Sequence, residues 1–402
     1  MKNLLLILSL VMIASPAFAS RARLESLGEN ANGSYYINDS RDIFLDPAAI
    51  NSYKKKVFVE LGDSNDTADT VNAGASKVQG GFTNTFGDFV YGLYVGRESS
   101  RVQNAIANAN VALAANSFGT LIAPDHAFDF FFGGEAGSVK YGADVFYSSA
   151  FVQVPANALL DIKSAHALGI KLGADINALK VFTTLGLSSE YKNDSQRAAG
   201  LVDAKGNLSL DLGATYGMED MTYLAKFTTF STDTSLGTTS PTVQTNKTTA
   251  FAVGAGWKHE ASKSVTMYSR IQLDIQKDTI DTVVAAAPSV NGLTENWYNL
   301  PLTLGAEAQA TSWLTVRGSI SHSLVGQHQN GASKDSLNNI TTAAMGLGFN
   351  FGDLTIDALV GQQGAVAGAN GASETSQSMV QSGTQQGFGS NMLTRLAMTY
   401  NF

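Results

Sequence analysis

Cysteine is absent from the chain, which excludes disulfides as a source of stability and, with no thiol after the leader, a lipid-anchored lipoprotein. Charge is scarce: 15% of residues are charged against 44% hydrophobic, too few for a secreted water-soluble protein of this size. The net charge of −8 excludes the basic balance that nucleic-acid binding requires. Beyond the first nineteen residues, no apolar run approaches the roughly 18 residues of a membrane helix.

What is present begins with a leader. Lys2, the apolar run Leu4 to Ile13, Pro16 and the small-residue site Ala17-Phe18-Ala19 before Ser20 form a secretory signal peptide over residues 1–19. Export, low charge and the lack of a membrane helix are reconciled by strands whose apolar residues alternate with polar ones, so that averaging hides them. Residues 20–53 lack sustained alternation and read as a periplasmic or lumen-entering segment. From residue 54 to 402, period-two stretches of about nine to fourteen residues repeat about sixteen times.

The connections between these stretches alternate between tiny and long. The tiny ones include Gly87-Asp88, Gly137, Ile176 to Ala178, Met218 to Asp220 and Gly352, rich in turn formers. The long ones include Glu98 to His126, Val152 to Asp161, Asp233 to Asn246, Asp278 to Asn296, Gly326 to Asn338 and Gln362 to Ser390. An even count, loops in phase and both ends at the short-turn rim define the expected fold. It is an all-β transmembrane antiparallel barrel with short periplasmic turns and long extracellular loops, set in outer-membrane lipid and lipopolysaccharide.

In the stretch Ser264 to Lys277, Val265, Met267, Ile271, Leu273 and Ile275 share one face, and Arg270, Gln272, Asp274 and Gln276 the other. A charge on the lipid side costs roughly 2 to 4 kcal/mol at mid-membrane, so the charged face points inward. The same sorting places Lys226, Lys258, Glu307, Arg317, Asp211, Lys171 and Asp144 on the inner wall as candidate pore-lining residues, together with Arg270 and Asp274. Aromatic residues gather at the short-turn rim, among them Phe86, Phe89, Trp313 and Phe351, as an interfacial girdle should.

The final stretch, with Leu396, Met398, Tyr400 and Phe402 on one face, resembles the carboxyl-terminal assembly signal read by the barrel-insertion machinery of outer-membrane proteins. Over Lys55 to Phe402, length and strand count resemble the general bacterial porins. That resemblance implies a homotrimer of water-filled channels passing small hydrophilic solutes and ions by diffusion. Porins fold their third long loop inward, whereas here Val152 to Asp161 is short; the candidate constrictions are the alanine-rich helical stretch Val102 to Ala115 of the second long loop, which could instead be a subunit latch, and Gln362 to Ser390.

A second resemblance lies in DSRDIFLDPAAIN, Asp39 to Asn51, which is similar to the amino-terminal region of the long-chain fatty-acid transporters, where a polar stretch leads to an Asn-Pro-Ala-Gly-like turn in a hatch inside a fourteen-stranded barrel. Here Asp46-Pro47-Ala48-Ala49 stands in its place. It implies a hatch-gated transporter of hydrophobic compounds. A barrel plugged by its own loops, with a purely structural role, is the third reading.

The five histidines, His126, His166, His259, His322 and His328, have no serine at a spacing that marks a catalytic pair, so no enzyme is expected. Asp63 to Asp69 spaces oxygen ligands like a calcium loop but lacks the glycine and the terminal acid of one. No metal or cofactor is expected.

Overall fold

A computed structural model describes residues 20–62, 77–97, 125–156, 159–195, 202–236, 242–284, 290–330, 333–336, 341–363 and 395–402. The leader, the calcium-like stretch and both candidate constrictions lie outside the described residues, apart from the strand residues Gln362 and Gln363.

Eighteen strand segments form one antiparallel sheet. The first are β1 (Lys56–Gly62), β2 (Lys77–Phe86), β3 (Phe89–Val95), β4 (Asp125–Ala136), β5 (Val139–Ala156) and β6 (Leu159–Ile176). They are followed by β7 (Leu179–Ser195), β8 (Val202–Gly206), β9 (Ser209–Met218), β10 (Met221–Leu236), β11 (Thr242–Ser262) and β12 (Val265–Val284). The remainder are β13 (Val290–Gln309), β14 (Leu314–Asn330), β15 (Ser333–Ser336), β16 (Thr341–Phe351), β17 (Leu354–Gln363) and β18 (Arg395–Asn401). Short β8 lies between β7 and β10 in line with β9, and β15 extends β16 beside β14. The sheet therefore has sixteen staves.

It closes where β18 pairs with β1, from Asn401 opposite Lys56 to Arg395 opposite Gly62. Closure removes the edge whose unpaired amides and carbonyls would each cost several kcal/mol in hydrocarbon. The last strand ends on the aromatic rim because it is the seam of the barrel. Tyr400 and Phe402 are about half exposed on the outside, while Ala397 and Thr399 are buried on the inside.

The short turns fall where expected, and two of them show the backbone reason. Gly137 and Gly352 have φ of +62° and +77°, the left-handed region that a two-residue hairpin uses and glycine tolerates. The long connections differ from expectation. Val152 to Asp161 is mostly strand, since β5 and β6 pair until Ala156 meets Leu159. Likewise β11 runs 21 residues and β12 and β13 run 20 each, well past the 9–11 residues or so that a bilayer needs. These extensions read as loops in the sequence because above the membrane nothing demands an apolar outer face, yet backbone pairing continues.

Lipid-facing side chains follow the expected alternation. Phe227, Trp257, Leu304, Val316 and Ile320 are exposed, and the inward Thr303, Glu307 and Arg317 are buried. Phe86, Phe89, Trp313 and Phe351 are exposed at the short-turn rim, Trp313 stacking on Phe349. The outer surface of a barrel is apolar; here the interior carries the buried polar groups.

That interior is occupied. Residues 20–53 fold into a compact plug inside the barrel, built from the helix Arg21–Ser26 and two 3₁₀ turns, Ser40–Phe44 and Pro47–Ser52. Each begins at a side-chain cap. The Ser20 hydroxyl accepts from the Arg23 amide, Asp39 and Asp42 form a reciprocal capping box, and Asp46 caps a turn that starts at Pro47, where a missing N–H costs nothing.

Candidate functional site

The plug is held by three kinds of contact, each set by different staves. The first is steric. Gly133, Gly142 and Gly173 are register partners across β4, β5 and β6, so their missing side chains make a flat floor on the inner wall. The Pro47–Ser52 turn lies on it. A Cβ at Gly142 would sit 2.2 Å from the Pro47 carbonyl oxygen, and one at Gly133 2.5 Å from Ile50 Cγ2. The Asn51 amide donates to the carbonyls of Ala48 and Tyr141, both at 2.9 Å, fastening the turn to β5. Phe182 continues the row on β7 and stacks on Tyr35 of the plug, centroids 5.0 Å apart.

The second contact is an aromatic socket. Phe44 enters a pocket formed by Phe58, Val90, Tyr94 and Phe131 on β1, β3 and β4, with Ile43 and Ile50 beside it. Tyr94 and Phe131 meet its ring edgewise at 4.9 and 5.6 Å. The Arg41 and Arg97 guanidiniums lie 4.9 and 4.6 Å from the same ring. Burying one such ring contributes about 1.5 to 3 kcal/mol before these contacts are added.

The third is a chain of buried charges. Arg23 reaches Glu307 on β13 with two bonds of 2.9 and 2.7 Å, and Asp39 within the plug at 3.1 Å. Glu307 also accepts from Arg317 on β14 at 2.7 Å and from the Tyr268 hydroxyl on β12 at 2.8 Å. Arg317 continues to Asp357 on β17 at 2.6 Å, and Asp357 accepts from the Ser20 hydroxyl at 2.9 Å. The chain thus begins and ends on the plug. Elsewhere Arg41 pairs with Glu60 on β1, Glu25 with Arg395 on β18 at 2.9 Å, and Glu29 with Arg270 on β12 at 3.2 Å.

Burial governs the protonation of the plug's acids. It raises Asp39 to about 7 despite Arg23 and the Arg41 amide, and raises Asp42, where the neighbouring Asp39 adds to the effect. Burial likewise raises Glu29, opposed by Arg270. Burial disfavours the charge on Arg23, but Glu307 and Asp39 more than offset it and raise its pKa well above the ordinary value.

The structure sorts the residues expected on the inner wall. Arg270, Glu307 and Arg317 touch the plug or its charge chain, and the Lys226 ammonium lies 5.8 Å over the Tyr35 ring. Lys171 and Asp144 bond at 2.8 Å in a wall network with Asp129 and Arg97, which reaches the plug through the Arg97 guanidinium over Phe44. Asp274 accepts from Gln272, and Asp211 is buried on β9. Lys258 shares the inner face with its register partner Tyr268 but sits apart from the plug. It lies near the short-turn rim, about half exposed and paired with Glu260, because β11 reaches its turn only a few residues later.

Two wall carboxylates central to the cage, Glu60 and Asp357, were absent from the sequence-derived set. A signal existed: each is the single acid in a largely apolar strand, KVFVELG and LTIDALVGQQ, and such an inward acid requires a cation near it.

The fold defines a class, a closed outer-membrane-type β-barrel with an internal amino-terminal plug. No protein-family model matches the sequence, and no curated protein matches it. Among solved structures, the Pseudomonas putida toluene transporter TodX is similar at 11% identity over 96% of this chain and 98% of that one, TM-score 0.40. A Pseudomonas aeruginosa FadL homologue is similar at 11% identity over 96% and 98%, TM-score 0.42. The Ralstonia pickettii toluene transporter TbuX is similar at 13% identity over 97% and 100%, TM-score 0.39. At these identities and scores the likeness carries no functional weight; function is read from the plug and its cage.

Proposed function

We propose that the protein is a plug-gated outer-membrane channel for small hydrophobic compounds rather than an open diffusion porin. The observation that supports this reading most is the Phe44 socket. A channel for hydrophilic solutes needs a wetted wall, whereas this wall offers four apolar or aromatic side chains to a ring, under the Arg97 guanidinium. Displacing the Pro47–Ser52 turn and Phe44 would uncover that socket to an aromatic solute entering from above. The charge chain gives the plug a defined seat to return to.

No catalytic role is part of this reading. Assembly by the barrel-insertion machinery through Leu396, Met398, Tyr400 and Phe402 is.

Uptake by cells expressing the protein tests it, with a radiolabelled monoaromatic hydrocarbon compared against a disaccharide of similar size. Saturable uptake of the hydrocarbon, lowered severalfold by Val90→Asp in the wall of the socket, is expected. Equal, non-saturating entry of both compounds would return the protein to the diffusion-channel class. Entry of neither would make it a structural barrel.

A further inference from the structure

We propose that Asp46 of the plug and Asp175 of the barrel wall share one proton, forming a latch that seats the plug more firmly in acid than at neutral or alkaline pH. Asp46 is 6% exposed and caps the Pro47–Ser52 turn, its Oδ1 accepting from the Ala48 amide at 3.0 Å. That same oxygen lies only 1.9 Å from where a Cβ on Gly173 would stand, so the carboxyl is pressed against β6. Asp175, two residues along β6 and on the same face, meets it side chain to side chain. Asp46 Oδ2 and Asp175 Oδ1 are both buried and neither has a donor. Two carboxylates cannot satisfy one another, whereas a carboxyl and a carboxylate can, through one O–H donated between them.

The surrounding charges decide which member keeps the proton. Asp175 is the register partner of Lys140 on β5 and of Lys180 on β7, so a lysine stands on each side of it. Lys180 and the Ala48 amide favour the charge on Asp46 and are outweighed by its burial. In the seated plug the proton sits on Asp46, whose O–H points at the wall carboxyl. Burial first, then the bond to Asp175 and its charge, raise Asp46 to about 8 in the seated plug.

Once released into water, Asp46 returns to about 4. Between these values the seated plug holds a proton that the released plug does not. Release is thus hardest below about pH 4, becomes easier through the window, and levels off above about 8. One proton sets the ceiling at about tenfold per pH unit. The device deepens the plug-gated reading, on which its role in transport rests, but the seating itself can be measured without any transported compound.

The test is amide hydrogen exchange of residues 48–53 in the full mature protein, from pH 5 to 9, run on wild type, Asp46→Asn and Asp175→Asn, with bilayer current recorded in parallel. An asparagine at either position supplies the N–H that the shared proton supplied, and in Asp46→Asn the side-chain oxygen keeps the cap. Each variant is expected to be steadily protected, so that the ratio of its protection to that of wild type grows severalfold per unit towards pH 8. Other plug acids titrate alike in all three proteins and cancel in the ratio. A flat ratio for both variants overturns the latch, and a rising ratio for Asp46→Asn alone overturns the pairing with Asp175. Protection that follows the prediction while current does not leaves the latch standing and defeats the gating role.

Discussion

Replacing Arg23 with alanine isolates the charge chain from the other two holds on the plug. Arg23 is 4% exposed and donates four times: twice to Glu307, once to Asp39 and once to the Asn38 carbonyl. Glu307 would keep Arg317 and Tyr268, so the wall side is largely compensated. Asp39 would lose its ion-pair partner while remaining fully buried, and it can escape that cost only by protonating. Removing one member of a buried pair costs roughly 3 to 5 kcal/mol, and the retained partners of Glu307 place this case near about 3. At 1.4 kcal/mol per decade, the population of unseated plug should rise about a hundredfold. Hydrogen exchange at Leu24 and Leu27, whose amides bond to Ser20 and Arg23 carbonyls, reads that population directly. Arg23→Lys should fall in between, since one ammonium cannot make the forked contact. Unchanged protection in Arg23→Ala, in a barrel that still resists heat and detergent, would refute the claim that the charge chain holds the plug.

Gly142→Val should expel the turn without harming the wall, because its first side-chain carbon would overlap the Pro47 carbonyl while β5 gains a good strand former; protease should then cut within residues 20–53 of a folded barrel. Tyr400→Ala combined with loss of Phe402 removes two outward aromatic residues of the closing strand, and the fraction of heat-modifiable, assembled protein recovered from outer membranes should fall severalfold.

The sequence disclosed the wall better than its contents. Period-two alternation, short turns in phase and an aromatic terminal strand are local signals, and each survives in the closed sheet: Ile271 faces lipid, Arg270 faces the lumen, and Asn401 pairs with Lys56. The cage was not legible because its bonds join residues far apart in the chain, 284 positions in the case of Arg23 and Glu307. The glycine floor was hidden for a related reason. Gly133, Gly142 and Gly173 look like ordinary weak points in three separate strands until register sets them side by side beneath one turn. The long connections shorten wherever strands outrun the membrane, as in Thr242 to Asn246, where alternation of apolar residues has no lipid to answer to.

The resemblance of Asp39 to Asn51 to a hatch and the resemblance of the whole to an open porin pointed in different directions. The capped turn at Asp46-Pro47, lying on a floor shaped for it, favours the first.

The most direct test of the account is single-channel current from the refolded mature protein in a planar bilayer, compared with a form lacking residues 20–53. The account predicts a nearly silent intact barrel and, after truncation, stepwise ohmic conductance through a sixteen-stave lumen. Equal conductance in both would contradict it, since a plug seated by a charge chain, a socket and a glycine floor should not leave the lumen open.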